Sequence, residues 1–481
     1  MKFANRKSRN NLIISMIVLI LISLTVMILI KLQNNNKNVF LIFTYLCNGI
    51  IWLFLFVHEV RKRAYSLIMM QWLFCIFFFE LAPLIQYIVG YFPWINTRSE
   101  NVLLRANLLL TIWTVAVQGG IFLGKYGKRN HGKYIYRQWK GYSTFLPLLT
   151  LFCFFNLMIR IVTIGPVNML FRSTNTGVSM SSNGSVSMLI SRTTEALVYF
   201  TAILSLVKYR QNRKVIIWAL LNCTILLFSY FPTGMARFAV AVLYLGAMLT
   251  YFTKFRADRN FILLFIGAFT IILPFFSAFR IESGSLNLGV IMREVLINLV
   301  ENWLKFDYDA YTLFTLTLEH VDEFGTGRGI HIISDLLFWV PRSLWHGKAY
   351  SGSYEIAHVR HLFDNLSFPF PALGYIDGGG IGLFAVGLII GIIMKKFDDS
   401  YWEKLDVYGN TFRPIDVLYP AVMIYWFFMC RGDIFYILAY LTCYLVAWYL
   451  IVILVKNGRM YAGSNVKTFI KNSVKEESDA I

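Results

Sequence analysis

Charged residues are scarce in this chain of 481 residues: they make up 15% of it, whereas apolar residues make up 57%. A soluble globular protein of this length has no use for so much apolar surface, so the composition excludes that class. Acidic residues are the scarcer charge, with 26 Asp and Glu against 45 Lys and Arg. In a soluble protein the net charge of +19 would suggest nucleic acid, but loops that face anionic lipid explain it better here.

Cysteine patterns that bind metals are also lacking. The six cysteines include no C-x-x-C pair, and each lies in or at the end of an apolar run. Such cysteines are typical of small buried side chains rather than of metal or disulfide sites. The basic N-terminus and its apolar run resemble a signal sequence. That run is too long, however, and no small-residue cleavage site follows, so we interpret it as a retained first span.

Apolar runs recur along the whole chain at lengths that suit a hydrocarbon core of about 30 Å. They predict an all-α polytopic membrane protein with about twelve transmembrane helices. The runs are 12–32, 38–57, 67–89, 103–124, 142–164, 186–207, 215–231, 238–253, 260–279, 371–394, 415–430 and 434–455.

The loops between these runs alternate in charge. Loops on one side carry 29 Lys and Arg, and those on the other side carry 15, seven of them in one long insert. Because short basic loops stay in the cytoplasm, both termini are predicted to be cytoplasmic and the insert to lie outside. The outer side holds 11 Arg and 4 Lys. This excess is either chance in small numbers or a surface suited to phosphate, which the Arg fork binds with two hydrogen bonds.

Four parts are predicted along the chain. Residues 1–279 form the first nine spans with a flexible outward loop at 165–185, and residues 371–455 form the last three. Between them, residues 280–370 form a large, partly helical extracytoplasmic loop, and residues 456–481 form a cytoplasmic tail. A chain that only anchors itself in a bilayer has no need of such an insert, so we expect the chemistry to lie there.

Several arginines are predicted at the outer ends of spans. They are Arg160, Arg192, Arg237, Arg280 and Arg431. A charge at membrane depth costs about 2.5–3.5 kcal/mol on insertion scales, so these groups usually line a polar cavity. Two other interpretations stay open: the side chains extend to the lipid headgroups, or Arg192 simply pairs with Glu195 three residues later.

The insert is rich in histidine. The histidines of the insert are His320, His331, His346, His358 and His361. A general base needs a single imidazole or carboxylate with a pKa near neutral, and His358 and Glu355 compete for that role. Zinc would need further ligands at defined spacing, which the sequence does not supply. We interpret Asp307-Tyr308-Asp309 as structural, since a D-x-D match of this kind arises easily by chance.

Glycines recur between Gly374 and Gly391. Small residues at intervals of four let membrane helices pack closely, which is the favoured interpretation of this stretch. The alternative concerns the triple glycine that begins at Gly378, because a backbone turn there would be able to approach a ligand.

The stretch from Val340 to Lys348 resembles the V-P-R-x-x-W-P-x-K-P signature of Wzy-type polymerases, which join O-antigen or capsule repeat units. The order of motifs around it is similar: a G-x-x-R that ends at Arg237, an Arg where a span closes (Arg280), an F-D-x-Y helix, a Gly-Tyr motif at Tyr375 and an Arg-Gly-Asp turn at Arg431. The resemblance covers roughly residues 230–435. His346 stands where Pro is common, and Asp377 belongs to a segment that replaces the usual Gly-Glu-x-Tyr.

The resemblance implies a metal-independent membrane glycosyltransferase with a GT-C-like fold in a bacterial cell membrane and no cofactor. Its partners would be undecaprenyl-diphosphate-linked oligosaccharide donor and acceptor, the lipid bilayer, and in the cell a flippase and a chain-length regulator. Candidate catalytic residues are Arg342, Arg280, His358 and Glu355. Candidate diphosphate-binding residues are Arg160, Arg192, Arg237, Arg431 and Lys348. Residues expected to shape the site are Pro341, Trp345, Tyr375 and Gly378.

Two other functions compete with polymerisation. A ligase of the O-antigen type, which transfers a finished glycan to another acceptor, shares the span count, the long outward loop and the Arg and His chemistry. A flippase of lipid-linked oligosaccharides belongs to a different class and would be expected to have paired helical halves and no long insert.

Overall fold

The computed structural model describes residues 37–125, 142–170, 185–252, 255, 260–269, 303–304, 306–363, 366–408 and 415–455. In these residues the chain forms helices joined by turns, with one isolated bridge between Phe92 and Ile95. Eight helices are long and apolar enough to cross a membrane. The prediction of a polytopic all-α membrane protein is therefore confirmed at this level.

The helices are numbered in chain order. They are α1 (Val39–Lys62), α2 (Leu67–Val89), α3 (Glu100–Gly124), α4 (Tyr142–Ile164), α5 (Ser185–Gln211), α6 (Ile216–Ser229), α7 (Phe238–Tyr251), α8 (Asn260–Gly267), α9 (Ala310–Phe324), α10 (Ile330–Leu336), α11 (Gly352–Val359), α12 (Phe370–Tyr408), α13 (Ile415–Met429) and α14 (Ile434–Val455). Ten of the twelve predicted runs have a matching apolar helix, of which α7 and α13 are shorter than the other eight. The run 12–32 lies outside the described residues, and the run 260–279 is described only as far as residue 269.

Polar side chains begin the membrane helices. The Asn38 side chain accepts hydrogen bonds from the amides of Phe40 and Leu41 at 3.0 and 3.3 Å, which starts α1. The Ser66 hydroxyl accepts from the amide of Met69 at 3.0 Å, which starts α2. The first amides of a helix have no partner within it, so these caps satisfy groups that would otherwise lack one.

Part of the insert returns into the helical bundle. Helix α2 contains a wider π-helical turn at Ile76–Leu81, and Phe77 and Phe78 in that turn stack on Trp303 and Tyr308 at 5.8 and 5.3 Å. The Gln86 amide, farther along α2, donates to the carbonyl oxygens of Trp303 and Tyr308 at 2.9 and 3.0 Å. From this point α9 continues as a buried helix. The insert is thus partly integrated with the spans rather than lying wholly outside them.

Close helix packing accounts for several of the glycines. A Cβ on Gly120 of α3 would lie 2.9 Å from the Cα of Gly391 on α12, and one on Gly387 would lie 2.8 Å from the Cβ of Ala116. Real Cβ atoms do not approach so closely, so the two backbones touch only because these residues are small. The packing interpretation of Gly387 and Gly391 is confirmed.

Helix α12 reverses direction near its start. Gly378 and Gly379 have non-helical backbone angles, with φ of +56° at Gly379. A Cβ on Gly374 would lie 2.9 Å from the carbonyl oxygen of Gly382, although eight residues of straight helix span about 12 Å. Residues 370–377 therefore pack against the helix that follows them. The predicted span 371–394 is a single run in the sequence but a turn plus a long helix in the structure.

Ion pairs identify the loops that meet at each end of the bundle. At one end Arg63 and Lys395 both contact Asp399, at 2.5 and 2.7 Å. At the opposite end the loop before α3 meets the insert, where Arg98 pairs with Glu319 at 2.6 Å. The basic loop after α1 and the polar insert thus lie at opposite ends, as their predicted orientation requires.

Candidate functional site

A chain of four titratable side chains lies at the insert end of the bundle. Each comes from a different helix: His320 from α9, His331 from α10, Glu355 from α11 and Asp377 from the short first part of α12. They alternate between imidazole and carboxylate. Because these elements are distant in sequence, this series of four side chains forms only when the insert is folded onto the spans.

The distances along this chain are those of hydrogen bonds. His331 Nδ1 lies 2.7 Å from Asp377 Oδ1, and its Nε2 lies 2.9 Å from Glu355 Oε2. The other carboxylate oxygen of Glu355 lies 3.0 Å from His320 Nε2. Glu355 therefore bridges the two imidazoles.

Local backbone features hold His331 in place. The Asp377 carboxylate accepts from the amides of His331 and Ile332 at 3.2 and 2.7 Å, so it also caps the N-terminus of α10. Gly327 lies against the pair, since a Cβ there would be 2.6 Å from His331 Nδ1 and 2.7 Å from Asp377 Oδ1. Any larger residue at position 327 would push these groups apart.

The pKa values separate the roles of His331 and Glu355. Burial alone would lower the pKa of His331, but its hydrogen bonds to Asp377 and Glu355 outweigh burial and raise that pKa to about 9. Hydrogen bonds from His320 and His331 lower the pKa of Glu355 to about 2. At neutral pH His331 is thus an imidazolium whose two N–H groups both donate, and Glu355 is a carboxylate. Neither is well suited to accept a proton from a hydroxyl group.

His320 is the imidazole with a nitrogen left over. An ionised carboxylate only accepts hydrogen bonds, so His320 Nε2 must donate to Glu355. The other nitrogen, Nδ1, is buried and has no hydrogen-bond partner. The exposed ring of Phe324 lies against the imidazole, with centroids 4.8 Å apart and the ring planes tilted by 36°. A carboxylate that orients one nitrogen of an imidazole while the other faces a reactant is the arrangement of a general base.

Asp335 is a second buried group without a partner. It lies one helical turn after His331, with 1% of its surface exposed, and neither of its carboxylate oxygens has a hydrogen bond. Burial, and then the nearby Asp433 carboxylate, raise the pKa of Asp335 to about 8. It is therefore a neutral acid at pH 7.

Arg342 and Lys348 hold their own loop together. Arg342 donates to the carbonyl oxygens of Lys348 and Ala349 at 2.6 and 3.0 Å, and its guanidinium lies 3.7 Å from the centre of the Tyr350 ring. Lys348 Nζ donates to the carbonyls of Leu337, Phe338 and Val340 at 2.9 to 3.1 Å, just past the end of α10. These cations stabilise the carbonyl end of α10 and the loop that follows.

The remaining predicted residues of the insert lie nearby but outside the four-residue chain. Pro341 is exposed and its carbonyl accepts from the amides of Leu344 and Trp345 at 3.1 Å, which makes the loop a tight turn. His358 is exposed on α11 and stacks on Tyr354 at 6.2 Å. Of the two predicted candidates for the base, Glu355 belongs to the series of four hydrogen-bonded side chains and His358 does not.

Two of the predicted diphosphate-binding arginines lie over tyrosine rings. Arg160 lies over the Tyr230 ring at 4.5 Å, and Arg192 lies over the Tyr440 ring at 4.7 Å. Tyr230 also interacts electrostatically with Arg192. Arg237 begins a helical turn whose next residue, Phe238, stacks on Tyr440 at 5.8 Å, although the Arg237 side chain is outside the description.

One arginine of this group has an acidic partner, and another keeps an unpartnered N–H group. Arg192 Nη1 bonds to Glu195 at 2.6 Å, which confirms the pairing expected from their spacing. Arg160 Nε is buried and has no hydrogen-bond partner. The group therefore keeps donor capacity that an anion would be able to use.

Arg431 joins the last outer turn to the insert. It lies 3.3 Å from Asp309 and 3.8 Å from Asp307. Asp309 also accepts hydrogen bonds from Trp94 Nε1 at 2.8 Å and from the Ser367 hydroxyl. The structural interpretation of the D-x-D match is confirmed. Arg280 lies outside the described residues.

Tyr375 and Gly378 belong to the turn in α12. The Tyr375 hydroxyl bonds to Arg105, which also pairs with Asp322 at 2.5 Å. Gly378 adopts the non-helical angles that let the chain reverse. Both residues position Asp377, which holds His331.

Sequence reasoning did not single out His320, His331 or Asp377 as a unit. The number of histidines in the insert was the available signal, but partners 35 and 46 residues apart have no recognisable spacing. Within the described ranges, no group of three or more His, Cys, Asp or Glu is arranged to hold a metal ion. No protein-family model matches the chain, and it matches neither a curated protein nor a solved structure.

Proposed function

We propose that this protein is a membrane glycosyltransferase that polymerises undecaprenyl-diphosphate-linked oligosaccharide repeat units on the outer face of a bacterial cell membrane. The proposal rests on the resemblance of residues 230–435 to Wzy-type polymerases. The observation that best supports a chemical role is the His320–Glu355 pair, with an unpartnered imidazole nitrogen at the insert end of a membrane bundle. The twelve-span topology, the GT-C-like fold and the cytoplasmic termini are parts of the same proposal.

In the proposed reaction, His320 Nδ1 takes the proton from a sugar hydroxyl of the acceptor. The hydroxyl oxygen forms a bond to the anomeric carbon of the donor, and the bond from that carbon to the diphosphate oxygen breaks. The electron pair leaves with the lipid diphosphate. Glu355 stabilises the imidazolium that forms on His320, and His331 keeps Glu355 in place. The acceptor reaches His320 by displacing the Phe324 ring.

The arginine group around Tyr230 and Tyr440 is the proposed site for the departing diphosphate. Guanidinium groups held away from bulk water stabilise developing negative charge without reorganising, and their planar fork matches phosphate oxygens. The Nε of Arg160, which has no hydrogen-bond partner, is the donor assigned to this task. Arg237, Arg280 and Arg431 complete the set in the proposal.

Gene deletion followed by sizing of the cell-surface glycan tests the function. A polymerase predicts single repeat units, still attached to lipid or to the surface, in place of long chains. Loss of attachment with chain length unchanged would instead indicate a ligase, and repeat units trapped on the cytoplasmic side would indicate a flippase. Either of these outcomes would overturn the proposal.

His320→Gln tests the base. Gln keeps a polar side chain but cannot take up a proton, so polymerisation should fall by about 10²- to 10⁴-fold, the usual contribution of such a group. His358→Gln and His346→Gln are the matched controls, since both imidazoles are exposed, and each should leave chain length unchanged. A large loss in His358→Gln with none in His320→Gln would reverse the assignment.

A further inference from the structure

Helix α10 has its polar and apolar faces reversed relative to a helix on a water-exposed surface. Its buried residues are His331, Ser334 and Asp335. Its exposed side carries Ile330, Ile333 and Leu336, the last two with half or more of their surface exposed. A surface helix in water buries its apolar stripe, so this orientation suits an apolar surrounding.

The apolar exposure continues along the loop after α10. Trp339 is 61% exposed and Leu344 is 79% exposed. Of the cations of the same loop, Lys348 is buried against carbonyl oxygens, and Arg342 is exposed and lies on Tyr350. Residues 330–344 thus present a row of exposed large apolar side chains, which the exposed Arg342 and Ser343 interrupt before Leu344.

This row lies beside two membrane helices. Helix α10 packs against α12 and α14, and the amides of His331 and Ile332 are bonded to Asp377 at the turn of α12. Just beyond that turn, Ile381 is 85% exposed. Such exposure of an apolar side chain on a membrane-length helix is what contact with lipid would require. The apolar side of α10 therefore continues the surface that the spans present to the bilayer.

We propose that residues 330–344 lie in the interfacial layer of the bilayer, with Ile333, Leu336 and Leu344 in contact with lipid acyl chains. Trp339 fits this position because indole rings collect where acyl chains meet headgroups. The occupant of this surface is the lipid leaflet itself, since the surface continues the lipid-facing side of α12.

The location of α10 also bears on how a lipid-linked substrate reaches the site, a point that rests on the proposed function. Lipid contacts one side of α10, and the His331–Glu355 pair lies on the other. A helix with its side chains is about 10–12 Å thick. A substrate anchored by a polyprenyl tail would therefore reach the site without leaving the leaflet.

Spin labels on the full-length chain test the location. Ile333→Cys, Leu336→Cys and Leu344→Cys are labelled with a nitroxide in vesicles of phosphatidylethanolamine and phosphatidylglycerol. The unmodified chain, labelled in parallel, gives the contribution of the six native cysteines. Collision rates with oxygen, which partitions into lipid, are compared with those of a water-soluble nickel chelate. His346→Cys, at an exposed polar position of the same loop, is the matched control.

Lipid contact predicts a several-fold higher ratio of oxygen to nickel collisions at positions 333, 336 and 344 than at position 346. Equal ratios at all four positions would place the segment in water and overturn the proposal. Spin–spin broadening that disappears on dilution with unlabelled protein would show a second copy on this surface and would also overturn it. Because no glycan is measured, this result is independent of whether the protein is a polymerase.

Discussion

Two buried aspartates at opposite ends of the bundle show what separates a structural carboxylate from a candidate functional one. Asp398, at the basic end, is fully buried and accepts hydrogen bonds from the amides of Leu67 and Ile68 and from the Tyr419 hydroxyl, at 2.9, 3.3 and 2.5 Å. Asp335, at the insert end, is equally buried and accepts none. Burial of a polar group without a partner is costly and rare, so it calls for a reason other than stability.

The same contrast extends to the neighbours of each aspartate. Around Asp398, the side chains join α1, α2, α12 and α13, and Arg63 lies 3.9 Å from the carboxylate. At the same end of the bundle as Asp335, the imidazole of His320 also keeps a nitrogen without a hydrogen-bond partner. At the basic end both oxygens of Asp398 accept hydrogen bonds, whereas at the insert end Asp335 and His320 retain hydrogen-bonding capacity that a ligand would be able to use.

The largest effect on stability is expected from Asp398→Ala. It leaves two helix amides and the Tyr419 hydroxyl without an acceptor and removes the carboxylate that lies 3.9 Å from Arg63, which should lower the free energy of unfolding by about 3–5 kcal/mol. Asp399→Ala is the control, since that carboxylate is partly exposed and should cost about 1 kcal/mol. Thermal unfolding in detergent measures both. Equal losses in the two variants would show that hydrogen-bond saturation is not what makes Asp398 structural.

A smaller effect is expected from Gly327→Ala. The added methyl group displaces His331 from Asp377, at a cost of about 1–3 kcal/mol for overpacking. In Gly347→Ala the nearest atom, Trp345 Nε1, is 3.8 Å from the new Cβ, so the change should stay within about 0.5 kcal/mol. Hydrogen exchange of the α10 amides should rise only in the first variant. Unchanged exchange there would mean that the His331–Asp377 contact does not order α10.

An effect of about the same size as that of Gly327→Ala concerns pH, and it tests the comparison of the two aspartates most directly. The pKa of Asp335 is raised by burial to about 8, so its contribution to stability is complete below its unfolded pKa and is lost as pH rises towards 8. The pKa of His331 is also raised, to about 9, so its contribution is lost between about pH 6.5 and 9. The insert should therefore open more readily as pH rises from 6.5 to 9.

Asp335→Asn removes the first of these contributions and keeps the second. It should flatten the pH dependence of α10 hydrogen exchange and protect α10 by roughly 1–3 kcal/mol at pH 8, relative to the wild type. Exchange corrected for the intrinsic effect of pH is the measurement. A variant with the same pH dependence as the wild type would show that Asp335 does not titrate in this range.

The sequence predicted what short-range patterns determine. Apolar run length located ten helices, and spacing offered the Arg192–Glu195 pair as one alternative. Glycine spacing predicted close helix packing around Gly387 and Gly391, but not that the partner is α3. The chain of His320, Glu355, His331 and Asp377 was not predictable, because it depends on how four elements meet in three dimensions. The contacts of Arg342 and Lys348 with the carbonyl oxygens of the signature loop are short-range, but the sequence pattern did not predict them either.

The π-helical turn in α2 sets the rotational phase of the residues beyond it. Each residue of an α-helix turns the chain by about 100°. Deleting one residue from Ile76–Leu81 would swing Gln86 away from the two carbonyl groups it now holds, those of Trp303 and Tyr308. The segment of the insert that returns to the bundle would then lose these hydrogen bonds. Helix α9, which carries His320, would no longer be held in a fixed rotation about its axis. The extra residue of this π-helical turn, deep inside a span, thus determines the orientation of His320.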